Sequence, residues 1–124
     1  MAESVARVPI RMRVPGVGEA SGELNRLTAP ITVGDLLKRL PISSRTSPSR
    51  GCVTILFGLR RGAEKAVSQV EGGTIVFNPR DGNLCVYTEA SKTYNAVNRV
   101  GSITANLEMF RSLKPGSMII IEKA

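Results

Sequence analysis

Residues 72–90, GGTIVFNPRDGNLCVYTEA, set two short runs of β-branched, aromatic and apolar residues on either side of Asn78-Pro79-Arg80-Asp81-Gly82. The spacing predicts a hairpin of strands 73–78 and 83–88. Asp81-Gly82 is a strong turn dipeptide, because glycine adopts positive φ without steric cost. Side chains alternate along a strand. Ile75 and Phe77 therefore share one face, and Leu84 and Val86 share one face.

The same pattern opens the chain. Val8, Ile10, Met12 and Val14 alternate with Pro9, Arg11 and Arg13, which predicts a strand with one wet face. Pro9 lacks a backbone donor and argues for an edge or irregular pairing. A turn at Pro15-Gly16-Val17-Gly18 leads into a second alternating run, residues 19–24. A three-residue loop, 16–18, would pair Arg13 with Ser21 and Arg11 with Glu23, and set Val14, Met12 and Ile10 against Ala20, Gly22 and Leu24. A loop longer by one residue would put arginines against the apolar partners, so the odd length is expected.

Elsewhere Val33, Leu36, Leu37 and Leu40 fall at i, i+3, i+4 and i+7. They predict a helix over 32–41, with Thr32 as cap, Asp35 near its positive end, Lys38 and Arg39 near its negative end, and Pro41 as its stop. Residues 43–50, SSRTSPSR, read as a polar, flexible connection. GCVTILFG, 51–58, reads as a buried strand. Residues 60–71 fit a helical stripe through Ala63, Ala66, Val67 and Val70 as well as a short strand, and the type stays open. Residues 89–101 read as a long polar connection, a second helix is expected over about 103–113, and residues 118–122, MIIIE, read as the closing strand. Six or more short strands with two helices in 124 residues favour one domain, 1–124, built as a mainly β closed barrel capped at its ends.

Composition narrows the chemistry. The chain has no histidine, which removes Ser-His and Cys-His dyads and histidine-ligated metals. No phosphate-binding glycine loop of the P-loop or dinucleotide kind is present. No cofactor or metal is expected. Cys52 and Cys85 are too few for a disulfide scaffold. They read as small buried hydrophobes mid-strand, with a structural or redox pair between strands as the alternative. No apolar run approaches the roughly 20 residues of a membrane span, and the N-terminal run MAESVARVPIRMRV has no leader pattern, so a cytoplasmic protein is expected. The net charge of +7 is carried mainly by arginines spread along the chain. Without interleaved aromatics, a soluble basic surface is favoured over nucleic-acid binding.

Gly73, Phe77, Pro79, Leu84 and Cys85, followed by Ala96-Val97-Asn98, Val100-Gly101 and Ile103, resemble the atypical cyclophilin-like family of small bacterial and archaeal proteins of unassigned function. The resemblance runs more weakly from the first strand to MIIIE. It implies an eight-stranded barrel closed by two helices. Family members tend to carry Gly-x-Thr-Pro after the Leu-Cys strand, where this chain has Tyr87-Thr88-Glu89-Ala90-Ser91.

The first functional expectation is a module binding a peptide or small ligand without chemistry. The second is a weak or divergent peptidyl-prolyl isomerase acting on proline-containing peptides, which needs no histidine. It needs an apolar groove and a donor to the proline nitrogen, and Arg60 is the candidate, since a guanidinium is always charged and presents several donors. Nucleic-acid association through the arginines comes third. Candidate groove residues are Phe57, Phe77, Arg80, Tyr87, Tyr94 and Asn98. The cyclophilin Phe-His-Arg signature and ligand-binding tryptophan are absent. The alternative for each aromatic is a place in the core, and for Asn98 a turn bonded to its own backbone.

Overall fold

The alternating residues of the first hairpin, Ile10, Met12 and Val14 with Ala20 and Leu24, are all buried, and they begin the wall of a barrel. The structure is a computed structural model and describes residues 6–124. The absence of a leader pattern concerns in part residues 1–5, which lie outside the described residues. Strands β1 (Arg7–Val14) and β2 (Gly18–Asn25) form the hairpin. Its loop is residues 15–17, not 16–18. Met12 lies opposite Ala20, Arg13 opposite Glu19 and Arg11 opposite Ser21, so the expected pairing is shifted by two residues. Both registers keep the apolar side chains on one face, so burial alone does not separate them. The turn decides: the Val17 amide donates to the Val14 carbonyl, 2.9 Å away, and Gly16 takes φ +82°. Nor is Pro9 on an edge, for β1 is paired on both sides. It lies just past Ile10↔Lys123, where the ladder to the closing strand ends.

The remaining elements are α1 (Pro30–Arg39), β3 (Ile42–Ser49), β4 (Cys52–Ile55), β5 (Val67–Val70), β6 (Thr74–Asn78), β7 (Asn83–Tyr87), β8 (Ser91–Ala105), α2 (Glu108–Arg111) and β9 (Met118–Lys123). Eight strands run in the order β2-β1-β9-β3-β4-β7-β6-β8, and β8 pairs back onto β2. Every pairing is antiparallel, and the β8–β2 pairing closes the sheet into a barrel. At the closing seam the two backbones approach so closely that only glycine fits. A Cβ at Gly101 would overlap the Glu23 carbonyl, and one at Gly22 would sit 2.8 Å from the Ser102 carbonyl oxygen.

The 72–90 hairpin is a wall of this barrel, with Ile75↔Val86, Phe77↔Leu84 and Asn78↔Asn83 in register. The segment with open type, 60–71, is an irregular loop followed by β5, which pairs with β8 outside the ring. Val70 there covers Val76 and Val97, a second small core on the outer face. This explains why β6 is buried on both faces.

Two polar stretches expected as connections are strands. In β3 only Thr46 is buried. Its backbone serves β9 on one side and β4 on the other, so the ladder's need for partners overrides composition. In β8 the first half pairs with β5 outside the ring and the second half with β6 and β2. Its polar alternation reflects that outer position. The second helix is correspondingly shorter than expected. Residues 103–105 belong to β8, and only Glu108–Arg111 are helical, though Met109, Phe110 and Leu113 are still buried. Among the described residues no helix is long and apolar enough to cross a membrane.

Candidate functional site

The barrel interior is filled by Val, Ile, Leu and Phe side chains. The space among Ile10, Met12, Leu24, Leu36, Ile75 and Leu84 amounts to about 10 Å³, at or below what one water needs. A ligand therefore has to bind outside the core. A cleft of about 810 Å³, open to solvent, lies between residues 58–62 after β4 and the β6–β7 turn, 79–82.

Both walls are pinned. In the turn, the Arg80 amide donates to Asn78 Oδ1 (3.0 Å) and the Asn83 amide to Asp81 Oδ1 (2.9 Å). Gly82 adopts φ +78°, and its carbonyl accepts from the amides of Gly58 (2.9 Å) and Leu59 (3.0 Å), tying the walls together at the floor. A Cβ at Gly82 would lie 2.7 Å from the Leu59 carbonyl oxygen, so this position needs glycine for both conformation and space. Asn83 Oδ1 also accepts from the Phe57 amide at 2.9 Å.

The 58–64 wall is held from behind by Asn98 of β8, whose side chain is fully buried. Its Oδ1 accepts from the Glu64 amide (2.8 Å), and its Nδ2 donates to the Gly62 carbonyl (3.1 Å) and to Thr32 Oγ1 (3.2 Å). Glu64 reaches across to α1. Its carboxylate accepts from the amides of Ile31 and Thr32, each at 2.9 Å, and from the Thr32 hydroxyl at 2.8 Å. Thr32 thus does not cap α1. The helix begins two residues earlier, at Pro30, and a carboxylate from a distant loop satisfies its free amides. Burial opposes ionisation of Glu64, but these hydrogen bonds hold its carboxyl below the usual range. Asp35, expected to act on the helix terminus, instead forms an ion pair with Arg61, whose guanidinium lowers its pKa.

Of the residues predicted to form a groove, the cleft gathers Arg60 and Arg80 only. Both are exposed, and among the described residues neither is in an ion pair. Phe57 packs at the edge of the core with the Arg39 guanidinium 5.2 Å from its ring centre. Phe77 is wholly inside the barrel. Tyr87 flanks the outer core, and Tyr94 is fully exposed on β8. Asn98 bonds neither its own turn nor the cleft space but the cleft's supporting wall. Sequence reading missed Arg61, Asp81 and Glu64. The first two sit inside legible signals, a glycine-bracketed loop and an Asp-Gly turn. Glu64 gave no signal, because its partners are about 30 residues away.

The arginines of the first strand are paired locally. Arg7 pairs with Glu23 (3.5 Å), and Arg11 (3.0 Å) and Arg13 (3.2 Å) share Glu122. What the cleft offers chemically is two guanidinium groups, Arg60 and Arg80, without ion-pair partners among the described residues, beside one carboxylate, Asp81. That arrangement recognises negative charge and presents no nucleophile–base pair.

No protein-family model matches the chain, and no curated protein matches it. Solved structures do. The solution structure of the hypothetical protein AF2241 from Archaeoglobus fulgidus is similar over all of both chains, with a TM-score of 0.77 and 22% identity. McbB, solved in complex with tryptophan, is similar over 92% of this chain, with a TM-score of 0.73 and 15% identity. This chain spans 44% of McbB. At these identities the likeness establishes a shared barrel fold.

Proposed function

We propose that this chain is a cyclophilin-like barrel, its ends closed by α1 and by the α2 segment, that binds a small anionic ligand in the cleft between residues 58–62 and 79–82. A carboxylate, free or at the end of a peptide, is the group that fits. The observation that carries this reading is the placement of Arg60 and Arg80 on opposite walls of one pinned cleft without protein partners. A guanidinium pair of this kind gains most from a planar anion that both can reach. Small-molecule sites tend to be largely pre-formed, as these walls are. McbB, of which this chain spans 44%, was solved in complex with tryptophan, a carboxylate-bearing molecule of the class proposed here.

The test is an NMR titration of isotope-labelled protein with acetyl-proline and, separately, with inorganic phosphate. The reading expects saturable shifts of the Gly58, Gly62 and Gly82 amides with at least one probe, lost in the Arg60→Ala/Arg80→Ala double variant. Shifts spread evenly over the arginine surface, unchanged in that variant, would overturn it.

Prolyl isomerisation is the second reading, favoured by Arg60 at the cleft rim. Its apolar floor would have to come from Leu59 and Pro79, since Phe57 and Phe77 lie elsewhere. Exchange measurements on a short Xaa-Pro peptide, with Arg60→Ala in parallel, decide it. Catalysis by the wild type that the variant loses would support it. Absence of catalysis would leave the binding module.

A further inference from the structure

Outside the cleft, the outer face of the β4–β7 pair carries both cysteines of the chain. The register sets Cys52 opposite Tyr87 and Thr54 opposite Cys85. Inward-facing Val53, Ile55, Leu84 and Val86 fill the core, so Cys52 and Cys85 are diagonal neighbours on the outer face. Both are free and half-buried. Their surroundings differ. Cys85 packs against the small outer core of Val70, Val76 and Val97. Cys52 is the first residue of β4, beside the turn at Arg50 and Gly51, and the Ser49 hydroxyl lies 3.2 Å from its sulfur. Thr54 Oγ1 lies 3.4 Å from the Cys85 sulfur.

We propose that Cys52 and Cys85 form a redox-active dithiol on the barrel wall, with Cys52 as the attacking sulfur and Cys85 as the resolving sulfur. The oxidant is a hydroperoxide. The Cys52 thiolate attacks the O–O bond, taking one oxygen as sulfenic acid. The other oxygen leaves as alcohol, or as water from hydrogen peroxide, with the proton from the thiol. The Cys85 sulfur then displaces hydroxide from the Cys52 sulfur, and its own proton completes a water. One S–S bond forms, the peroxide is reduced by two electrons, and two molecules of a small thiol return the pair to the dithiol.

The different surroundings of the two sulfurs favour this division of roles. The neighbouring Cys85 thiol, opposed by burial and assisted by the Ser49 hydroxyl, holds the Cys52 thiol down at about 6, while the Cys52 neighbour and burial push Cys85 up. The attacking thiolate is thus the sulfur at the strand end, beside a turn, and its partner is tucked against the outer core. Tyr87, directly opposite Cys52, is pushed up to about 12 mainly by burial, so it stays neutral and adds no competing anion. Two carboxylates face this side: Glu89, its side chain near Gly51, and Asp81, whose charge also pushes Cys85 up. Diagonal strand neighbours have Cα atoms about 7–8 Å apart, at or past the upper limit for an unstrained disulfide. A cross-link here is under tension, and strained disulfides are the readily reduced ones.

The experiment exposes the wild-type protein to a small excess of hydrogen peroxide and counts thiols, with intact mass and peptide mapping under non-reducing conditions. The proposal expects loss of both thiols in the monomer, the mass of two hydrogens, a Cys52–Cys85 peptide, and full reversal by dithiothreitol. Before oxidation, iodoacetamide at pH 7 should label Cys52 roughly ten-fold faster than Cys85. In Cys85→Ser, dimedone should trap a sulfenic acid on Cys52. Cross-linked dimers without the internal disulfide, equal labelling of the two cysteines, or over-oxidation of Cys52 with Cys85 still free would each overturn it.

Discussion

Replacing Asn98 by alanine removes the side chain that binds the 62–64 segment to β8 and α1. The wild-type amide makes three hydrogen bonds, with the Glu64 amide, the Gly62 carbonyl and the Thr32 hydroxyl, and is fully buried. A hydrogen bond contributes about 1 kcal/mol net, and a buried group left without a partner costs about 1–3 kcal/mol. Thr32 keeps its bond to Glu64, and Gly62 is exposed enough for water to reach its carbonyl. The Glu64 amide is the group most exposed to the full penalty. The sum is about 2–4 kcal/mol. Guanidinium unfolding read by circular dichroism should show a lower midpoint with an unchanged slope, because the folded surface hardly changes. Amide exchange should quicken at Glu64, Thr32 and Ile31 while β1 and β9 keep their relative protection. A loss under about 1 kcal/mol would refute the supporting role given to Asn98, and so would full stability combined with loss of acetyl-proline binding, which would move Asn98 into the ligand site.

Gly101→Ala should be among the most damaging small substitutions. The new methyl overlaps the Glu23 carbonyl at the closing seam, and forced overpacking costs about 1–3 kcal/mol or more; a melting temperature within error of wild type would contradict the seam geometry. Phe77→Ala should cost about 3–5 kcal/mol because it empties the barrel core, measured by the same denaturant curves. The folded chain holds the Glu64 carboxyl below its ordinary value of 4.5, so between the two values the unfolded chain binds more protons. The stabilisation is complete above about 4.5 and is lost as pH falls through the lowered folded value. Glu64→Gln should therefore flatten this part of the acid limb of a stability–pH profile, leaving what Asp35 and Glu122, also lowered by arginine partners, contribute.

The alternation of Val8, Ile10, Met12 and Val14, the Asp-Gly turn, and the stripe from Val33 to Leu37 were enough to place the two hairpins and the first helix. In each, the residue's own side chain decides whether its face is buried, and that is written locally as period two or period 3.6. β3 and the outer half of β8 were not legible, because a strand of Ser, Thr, Arg and Asn exists only if neighbouring backbones need its hydrogen bonds, and those neighbours are far away in sequence. The two-residue register of the first hairpin was hidden for a related reason, since burial fixes parity and the turn fixes the rest. The candidate site divides the same way. Arg60 and Arg80 could be nominated from residue type, Arg60 because a guanidinium is always charged and presents several donors, and Arg80 as a groove residue of the adjoining hairpin turn. That they line one cleft, that Phe77 does not, and that Asn98 and Glu64 hold the cleft's wall depended on long-range pairing of β4 with β7 and of β6 with β8. Those pairings bring residues 58–64, 79–82 and 98 together, and the filled interior leaves a ligand only the outside of the barrel.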